Sequence, residues 1–189
     1  CCQAFRWNSD DSGYTGVVGN KVVRAAYHEE GQVLVLDNCS LEEYNNHWKH
    51  YFDLNRDYGK VKDELSSDKI MKEAMQYGWG IRVLNQDPWE TLISFIISAN
   101  NNIKRIKNII EELSTKFGKE VYWEGRSYYT FPTPESLANA EEEELRACGC
   151  GYRGPYIKKT ARMVVDGLVS PYQLKELSYQ EAHKELLRC

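Results

Sequence analysis

The stretch DPWETLISFIISANNNIKR, residues 87–105, decides the fold of this chain. Asp at a cap position, Pro in the first turn and Glu three residues after the Asp form a strong helix-start signal. The residues that follow are apolar nearly all round a helix, which predicts the central buried helix of the core. Asn100, Asn101 and Asn102 then separate this helix from a second helical pattern that begins at Ile103.

The asparagine triplet has two interpretations. Asn ends helices well, because it tolerates the left-handed conformation and caps backbone groups, and taken alone the triplet favours this structural role. Alternatively, the triplet presents amides at a helix junction beside Lys104 and Arg105. Such amides carry the paired donors and acceptors that recognise a base edge next to a phosphate.

The first forty residues predict an antiparallel β-meander. Short runs rich in Val, Tyr and other aromatic residues alternate with turn signals at close spacing. The runs cover residues 4–7, 14–18, 22–27 and 33–36, and the turns cover 11–13, 19–20 and 29–31.

From Ser40 onward the chain is predicted to be mainly helical. Ser40 with Glu43, and Ser178 with Glu181, form capping-box patterns. Other helical patterns cover 57–65, 68–77, 103–118 and 140–147, one more opens at Thr133, a basic helix begins at about 156, and a hairpin covers 121–129. We therefore predict an α+β fold, with a small N-terminal antiparallel β-sheet layer followed by a mainly helical domain. The predicted domains are 1–85, with strands in about 4–37, and 86–189.

Length and composition describe an ordinary folded protein. The 189 residues can bury a substantial core, no apolar run approaches the length of a membrane span, and the chain starts without a signal-peptide pattern. A net charge of -4 argues against a wholly basic nucleic-acid binder. Charge is nevertheless segregated, since residues 153–163 carry four basic residues and no acidic one, whereas 141–144 are all Glu. The local arrangement of charged side chains, rather than the net charge, decides affinity for phosphate.

No metal site or familiar catalytic motif is predicted. The six cysteines include no Cys-x-x-Cys pair with a matching second half, and reduced thiols are expected. His47 and His50 could share a helical face, but no second pair accompanies them. The lysines at 60, 62, 104, 107, 158 and 159 fall on predicted polar faces, so none is predicted to be a nucleophile.

The glycine-rich turn before the basic helix is a second candidate site. Gly149-x-Gly151-Tyr152-Arg153 places a ring and a guanidinium where backbone can approach a ligand closely and a helix N-terminus favours anions. Tyr beside Arg can stack against bases or wedge between them. An ordinary helix-helix turn, with the Tyr packed on the core, is equally compatible with the pattern.

Several motifs in register resemble those of 8-oxoguanine DNA glycosylases, which are helix-hairpin-helix glycosylases. They are Gln3-x-Phe5-Arg6-Trp7, Gln86-Asp87-Pro88, Ser98-x-Asn100-Asn101-Asn102-Ile103-x-Arg105, Gly151-Tyr152-Arg153 and Ser178-Tyr179-x-Glu181-Ala182-His183-Lys184. The resemblance covers essentially the whole chain, and the combination is far more specific than any one motif. It implies the family's N-terminal β-containing domain and the first part of its helical DNA-glycosylase domain.

The resemblance implies a function in base excision repair. The intact protein would be a DNA N-glycosylase with abasic-site lyase activity that removes 8-oxoguanine opposite cytosine by base flipping. An amine would attack the anomeric carbon, expel the base and leave a Schiff base that undergoes β-elimination. The expected partner is damaged double-stranded DNA, with no membrane, no metal and no organic cofactor. We expect a monomer, nucleoid-associated in the cytoplasm of a bacterium or nuclear in a eukaryote.

The resemblance also implies roles for individual residues. Asn100 would hydrogen-bond the orphan cytosine, the base left unpaired after flipping, and Arg105 and Arg153 would donate to its acceptor edge. The other two asparagines of the triplet are expected to be capping or structural. Tyr152 would intrude into the stack beside the lesion. Ile103 matches a position that lines the lesion pocket, although an Ile on a helix face also suits the core.

Two features depart from the family pattern. The backbone carbonyl that would distinguish 8-oxoguanine belongs to a glycine in the family, and Cys2 occupies that position here. A positive φ would strain Cys2. The catalytic lysine and its assisting aspartate are expected beyond Cys189, so we predict no catalytic residue within this chain, which we expect to be a fragment. A non-catalytic DNA-binding protein and a related glycosylase for another lesion remain alternatives.

Overall fold

The computed structural model describes residues 4–189, which form two compact units. Unit 1 contains residues 39–86, and unit 2 contains residues 4–38 together with 87–189. The units follow packing, whereas the domains predicted from the sequence, 1–85 and 86–189, follow chain order. That division in chain order stays a prediction.

Four strands of unit 2 form the predicted antiparallel meander. They are β1 Trp7–Asp10, β2 Gly13–Val18, β3 Lys21–His28 and β4 Val33–Asp37, hydrogen-bonded in the order β1-β2-β3-β4, with a 3-10 turn at Glu29–Gly31. The first strand begins later than the predicted run 4–7. Arg6 precedes the strand, in a turn, and its guanidinium donates to the carbonyl of Tyr129.

Unit 1 is helical, as predicted. Its helices are α1 Leu41–Glu43, α2 Lys49–Tyr51, α3 Tyr58–Leu65 and α4 Lys69–Tyr77, and the π-helical turn Tyr44–Trp48 joins the first two. Ser40 and Glu43 form the predicted reciprocal capping box. Trp48 and Tyr51 are buried, with ring centroids 5.8 Å apart in an edge-to-face arrangement.

The remaining elements belong to unit 2. The helices are α5 Pro88–Ser98, α6 Ile103–Phe117, α7 Pro134–Asn139, α8 Glu142–Ala147, α9 Gly154–Val165 and α10 Tyr179–Leu186, with the hairpin β5 Glu120–Trp123 and β6 Arg126–Tyr129, and 3-10 turns at Gly151–Arg153 and Pro171–Glu176. Their core includes the fully buried side chains of Ile93, Ile97, Ile110, Leu113, Leu137, Leu145 and Ile157. This α+β architecture confirms the predicted fold class.

Helix α5 is the central core helix that its sequence predicts. Asp87 caps it by accepting from the Glu90 amide at 2.9 Å, and Trp89 Nε1 donates to the Pro132 carbonyl at 2.9 Å. Burial is not complete all round, however, because Phe95 is 73% exposed. The helix therefore presents one apolar side chain to solvent at its C-terminal half.

In the described part of the chain, no helix combines the length and apolar character needed to cross a membrane. Cys148, Cys150 and Cys189 are free thiols. Within residues 4–189 no group of three or more His, Cys, Asp or Glu side chains could hold a metal ion.

Candidate nucleic-acid interface

The asparagine turn, residues 99–102, connects α5 to α6. Asn100 adopts a left-handed backbone conformation with φ of 48°. Asn enters this region more readily than most residues because its short amide can hydrogen-bond locally. Its side chain is exposed and makes no hydrogen bond within residues 4–189. The turn therefore presents the amide of Asn100 to solvent.

The other two asparagines hold the turn together. Asn101 Nδ2 donates to the Ile97 carbonyl at 3.0 Å, and Asn101 Oδ1 accepts from the Asn102 amide at 3.0 Å. Asn102 caps α6, because its Oδ1 accepts from the Arg105 amide at 3.0 Å. The expectation that these two residues are capping or structural is confirmed.

Arg105 lies in the first turn of α6, and its backbone amide donates to the Asn102 cap. Its side chain is exposed and forms no hydrogen bond or ion pair with any other described residue. The guanidinium is therefore available to an external acceptor, a few residues from the exposed amide of Asn100.

Arg153 connects the glycine-rich turn to the asparagine turn. It ends the 3-10 turn ahead of α9 and is only 3% exposed. Its Nε donates to the Ala99 carbonyl at 3.0 Å, and its Nη2 donates to that carbonyl and, at 3.0 Å, to the Asn100 carbonyl. The structure thus brings together two candidate segments that the sequence separates by about fifty residues. That Arg153 contacts the orphan base stays a prediction.

Tyr152 presents its ring to solvent beside Arg153. The side chain is 60% exposed, its ring centroid lies 4.4 Å from the Arg153 guanidinium carbon, and its hydroxyl donates to the Ala99 carbonyl at 3.2 Å. The alternative in which Tyr152 packs on the core is therefore wrong. The Ala99 carbonyl, where these donors meet, was not predicted, since a backbone acceptor has no signature in the side-chain sequence.

A hollow of about 330 Å³ opens beside Tyr152. It is lined by Glu142, Arg146, Gly151, Tyr152, Gly154 and Pro155. Arg146 is exposed and has no hydrogen bond or ion pair among the described residues. A guanidinium beside an aromatic ring suits a phosphate and its neighbouring base. Arg146 was not predicted as a site residue, because it closely follows the acidic run 141–144 and belongs to none of the family motifs.

Three of the four cations of the basic segment 153–163 contact backbone carbonyls of the protein. Lys159 Nζ donates to the Arg188 carbonyl at 3.2 Å, and Arg162 Nη2 donates to the Ala138 carbonyl at 3.2 Å. Arg153 likewise contacts backbone carbonyls. Lys104, Arg105 and Arg146 are exposed cations at this interface whose side chains have no hydrogen bond or ion pair with any described residue.

Two further predicted site residues have different outcomes. Ile103 is 51% exposed at the start of α6, so it does not belong to the core, and its place in a lesion pocket stays a prediction. Cys2 lies outside the described residues.

An ion pair with little exposure links the segment before β1 to the first turn of α5. Arg6 Nη1 lies 3.9 Å from Glu90 Oε2, and the two side chains are 4% and 17% exposed. Burial raises the pKa of Glu90 to about 7, despite the opposing charge of Arg6, and nearby Asp87 adds to the rise. Burial also lowers the pKa of Arg6. At this separation the attraction between the charges does not offset their loss of hydration.

The exposed amide of Asn100, the exposed ring of Tyr152, and exposed arginines without partners in residues 4–189 are features of a nucleic-acid-binding surface on a helical array. Residues 93–187 match the family of HhH-GPD superfamily base excision DNA repair proteins. The chain belongs to this superfamily. Residues 1–92 match the N-terminal domain of 8-oxoguanine DNA glycosylase, which confirms the resemblance found in the sequence.

Named relatives agree with this assignment. An N-glycosylase/DNA lyase of Saccharomyces cerevisiae is 37% identical over 180 residues, covering 87% of this chain and 47% of that protein. The Clostridium acetobutylicum 8-oxoguanine glycosylase/lyase, solved with double-stranded DNA containing cytosine opposite 8-oxoguanine, is 42% identical with a TM-score of 0.94. That match covers 99% of this chain and 64% of the other. A 3-methyladenine DNA glycosylase of Archaeoglobus fulgidus, 20% identical with a TM-score of 0.78, shares the fold. The chain spans about half the length of the curated relatives it matches.

Proposed function

We propose that the intact protein is a DNA N-glycosylase with abasic-site lyase activity that removes 8-oxoguanine opposite cytosine from double-stranded DNA. The observation that carries this proposal is the meeting of the asparagine turn with Tyr152-Arg153, which leaves Asn100 and Tyr152 exposed on one surface. The similarity to the clostridial 8-oxoguanine glycosylase/lyase supports it. The protein acts as a monomer, in the nucleoid of a bacterium or the nucleus of a eukaryote.

The exposed groups match what base flipping requires. Extrusion of the damaged base costs a few kcal/mol and leaves a gap and an unpaired partner. The exposed ring of Tyr152 can enter the gap and replace part of the lost stacking. The Asn100 amide oxygen can accept from the cytosine amino group, and Arg105 can donate to the cytosine carbonyl oxygen and ring nitrogen.

The excision step requires an amine nucleophile. Its lone pair forms a bond to the anomeric carbon, the glycosidic bond breaks, and its electrons leave with the base, which takes up a proton. The sugar ring then opens: the C1′–O4′ bond breaks, the nitrogen loses its proton, the ring oxygen takes one up, and the imine forms. Loss of a C2′ proton from this imine expels the 3′-phosphate by β-elimination. None of the lysines in residues 4–189 is buried, so burial activates none of their amines. The chain spans about half the length of its relatives, and we propose that the lysine and its assisting aspartate lie in a part of the intact protein that this chain does not span, with no cofactor.

Excision assays of the intact protein test the proposal. Duplexes with 8-oxoguanine opposite cytosine should lose the damaged base, and borohydride should trap a covalent protein-DNA complex. An undamaged duplex of the same sequence is the control. Binding without excision of any lesion would indicate the non-catalytic alternative, and preferential excision of another damaged base would indicate the related glycosylase.

A further inference from the structure

We propose that the hollow beside Tyr152 binds the base pair next to the flipped nucleotide, with Glu142 accepting from the 2-amino group of a guanine and Arg146 donating to a neighbouring phosphate. The proposal rests on the proposed function, since it concerns DNA from which the damaged base has been extruded. It gives the protein a preference for a G·C pair on one side of the lesion.

Two opposite charges line the hollow without neutralising each other. Glu142 and Arg146 are four residues apart on α8, a spacing at which helical side chains commonly pair. Both side chains are exposed, and neither forms a hydrogen bond or ion pair with any other described residue. Glu144 on the same helix is instead used by the fold, because it accepts from the Glu141 amide at 3.0 Å and lies 3.2 Å from Lys116 Nζ. The hollow therefore offers an external ligand one carboxylate and one guanidinium.

Glycine backbone forms part of the lining. Gly151 and Gly154 both contribute to it, and a Cβ at Gly151 would meet no atom within 4 Å. Backbone without a Cβ lets the edge of a base approach closely. The ring of Tyr152 and the side chain of Pro155 complete the apolar part of the lining. A ring beside a cation suits a base and the phosphate attached to it.

Tyr152 borders both the asparagine turn and the hollow. Its hydroxyl donates to the Ala99 carbonyl at 3.2 Å, whereas no residue of the asparagine turn, which the structure describes in full, lines the hollow. A ring that enters the stack in place of the flipped base has the orphan cytosine on one side and an intact base pair on the other. Asn100 would therefore serve the orphan cytosine, and the hollow would serve the adjacent pair.

The chemistry of the minor groove selects guanine as the ligand of Glu142. Proteins that insert side chains between base steps commonly do so from the minor groove. The 2-amino group of guanine is the one donor that base pairs present there, and the other groups are acceptors. A carboxylate can only accept, so it is attracted to a G·C pair and repelled by an A·T pair. Arg146 can only donate, which suits a phosphate oxygen.

Hypoxanthine, which is guanine without the 2-amino group, provides the test. Affinities of the intact protein are measured for duplexes that carry a 2′-fluorinated 8-oxoguanine nucleotide, which resists excision, opposite cytosine. The adjacent pair is guanine·cytosine or hypoxanthine·cytosine, placed on either side of the lesion. On one side the wild type should bind the guanine duplex about tenfold more tightly, as expected for a hydrogen bond to a charged group. Glu142→Ala should bind the two duplexes equally.

Glu143→Ala is the matched control. Glu143 is the next residue of α8, is exposed and does not line the hollow, so its replacement removes the same charge and should leave the preference for guanine unchanged. Arg146→Gln should weaken binding to both duplexes by the same factor, because each contains the phosphate. If Glu142→Ala does not fold, Glu142→Gln replaces it and should reduce the preference, because a neutral amide is the weaker acceptor.

Three outcomes would overturn the proposal. They are equal affinities of the wild type for the guanine and hypoxanthine duplexes on both sides of the lesion, a full preference for guanine in the Glu142 variant, and an equal loss of that preference in Glu143→Ala. Failure of the wild type to prefer lesion DNA over undamaged DNA would instead count against the proposed function.

Discussion

Three chemically identical asparagines have different roles in the turn between α5 and α6. Asn101 and Asn102 use their side chains on backbone groups, whereas Asn100 carries the positive φ and leaves its amide exposed. The difference follows from position relative to the two helix ends, since an N-cap side chain must accept from an amide in the first turn. The role of an asparagine in this turn therefore changes from one position to the next.

Loss of the cap on α6 should destabilise the protein. Asn102→Ala removes the acceptor for the Arg105 amide and should lower the free energy of unfolding by about 1 kcal/mol, measured by urea denaturation. Asn108→Ala is the control, because Asn108 is exposed within the same helix and Ala is the better helix former. Equal effects of the two substitutions would refute the assigned cap.

Glu90 should make stability depend on pH. Its pKa is about 7 in the folded protein, against an ordinary value of 4.5, because burial disfavours the charged form. The folded state therefore binds the proton more tightly than the unfolded state. The resulting stabilisation is fully present below about pH 4.5 and is lost as pH rises through 7.

The measurement compares unfolding free energies at pH 5 and pH 8. The wild type should lose roughly 2–3 kcal/mol more over this range than Glu90→Gln, which cannot titrate. Glu112→Gln, at an exposed position on α6, should behave as the wild type. If Glu90→Gln keeps the wild-type pH dependence, Glu90 does not titrate as stated.

At the scale of elements, local capping and turn residues predicted most helix and strand boundaries. The capping boxes at Ser40 and Ser178 are present, and the hairpin of β5 and β6 turns at residues 124–125, as predicted. The basic helix begins at Gly154 rather than near residue 156, because the 3-10 turn Gly151–Arg153 runs directly into it. The π-helical turn between α1 and α2 had no signal in the sequence pattern.

The junction between α6 and β6 depends on a close approach at Gly118. A Cβ there would lie 2.0 Å from the Thr130 carbonyl oxygen and 2.5 Å from the Ser114 carbonyl oxygen. Gly118→Ala should therefore lower the free energy of unfolding by about 2 kcal/mol, since backbone must shift. A Cβ at Gly80 would meet no atom within 4 Å, so Gly80→Ala should change the free energy of unfolding by no more than about 0.5 kcal/mol. Thermal unfolding of both variants measures the difference. Similar losses in both variants would show that the contact is not the cause.

At the scale of the whole molecule, the net charge is negative and part of the basic segment 153–163 contacts the protein itself. The net charge is -4, and Arg153, Lys159 and Arg162 contact carbonyls of the protein. Binding to DNA phosphates therefore depends on where exposed cations such as Lys104, Arg105 and Arg146 lie, rather than on the net charge.

The salt dependence of DNA binding should reveal one of these side chains. Arg146 lines the hollow beside Tyr152 and has no partner among the described residues. Arg146→Gln in the intact protein should weaken binding to any duplex and reduce the slope of log K against log salt by about 1. Lys175→Gln, an exposed cation outside the hollow, should not alter the slope. An unaltered slope in Arg146→Gln would exclude a phosphate contact.

The sequence by itself determined the helices, the meander and the family, because caps, turn residues and apolar periodicity act over a few neighbouring positions. It also indicated Asn100, Arg105, Tyr152 and Arg153 as one group, through motifs in register. Only the tertiary structure decided what Arg153 contacts and that Phe95 is exposed. The reason is physical: Arg153 lies 54 residues from the Ala99 carbonyl in the chain, and that contact exists only when α5 and α9 pack in one core.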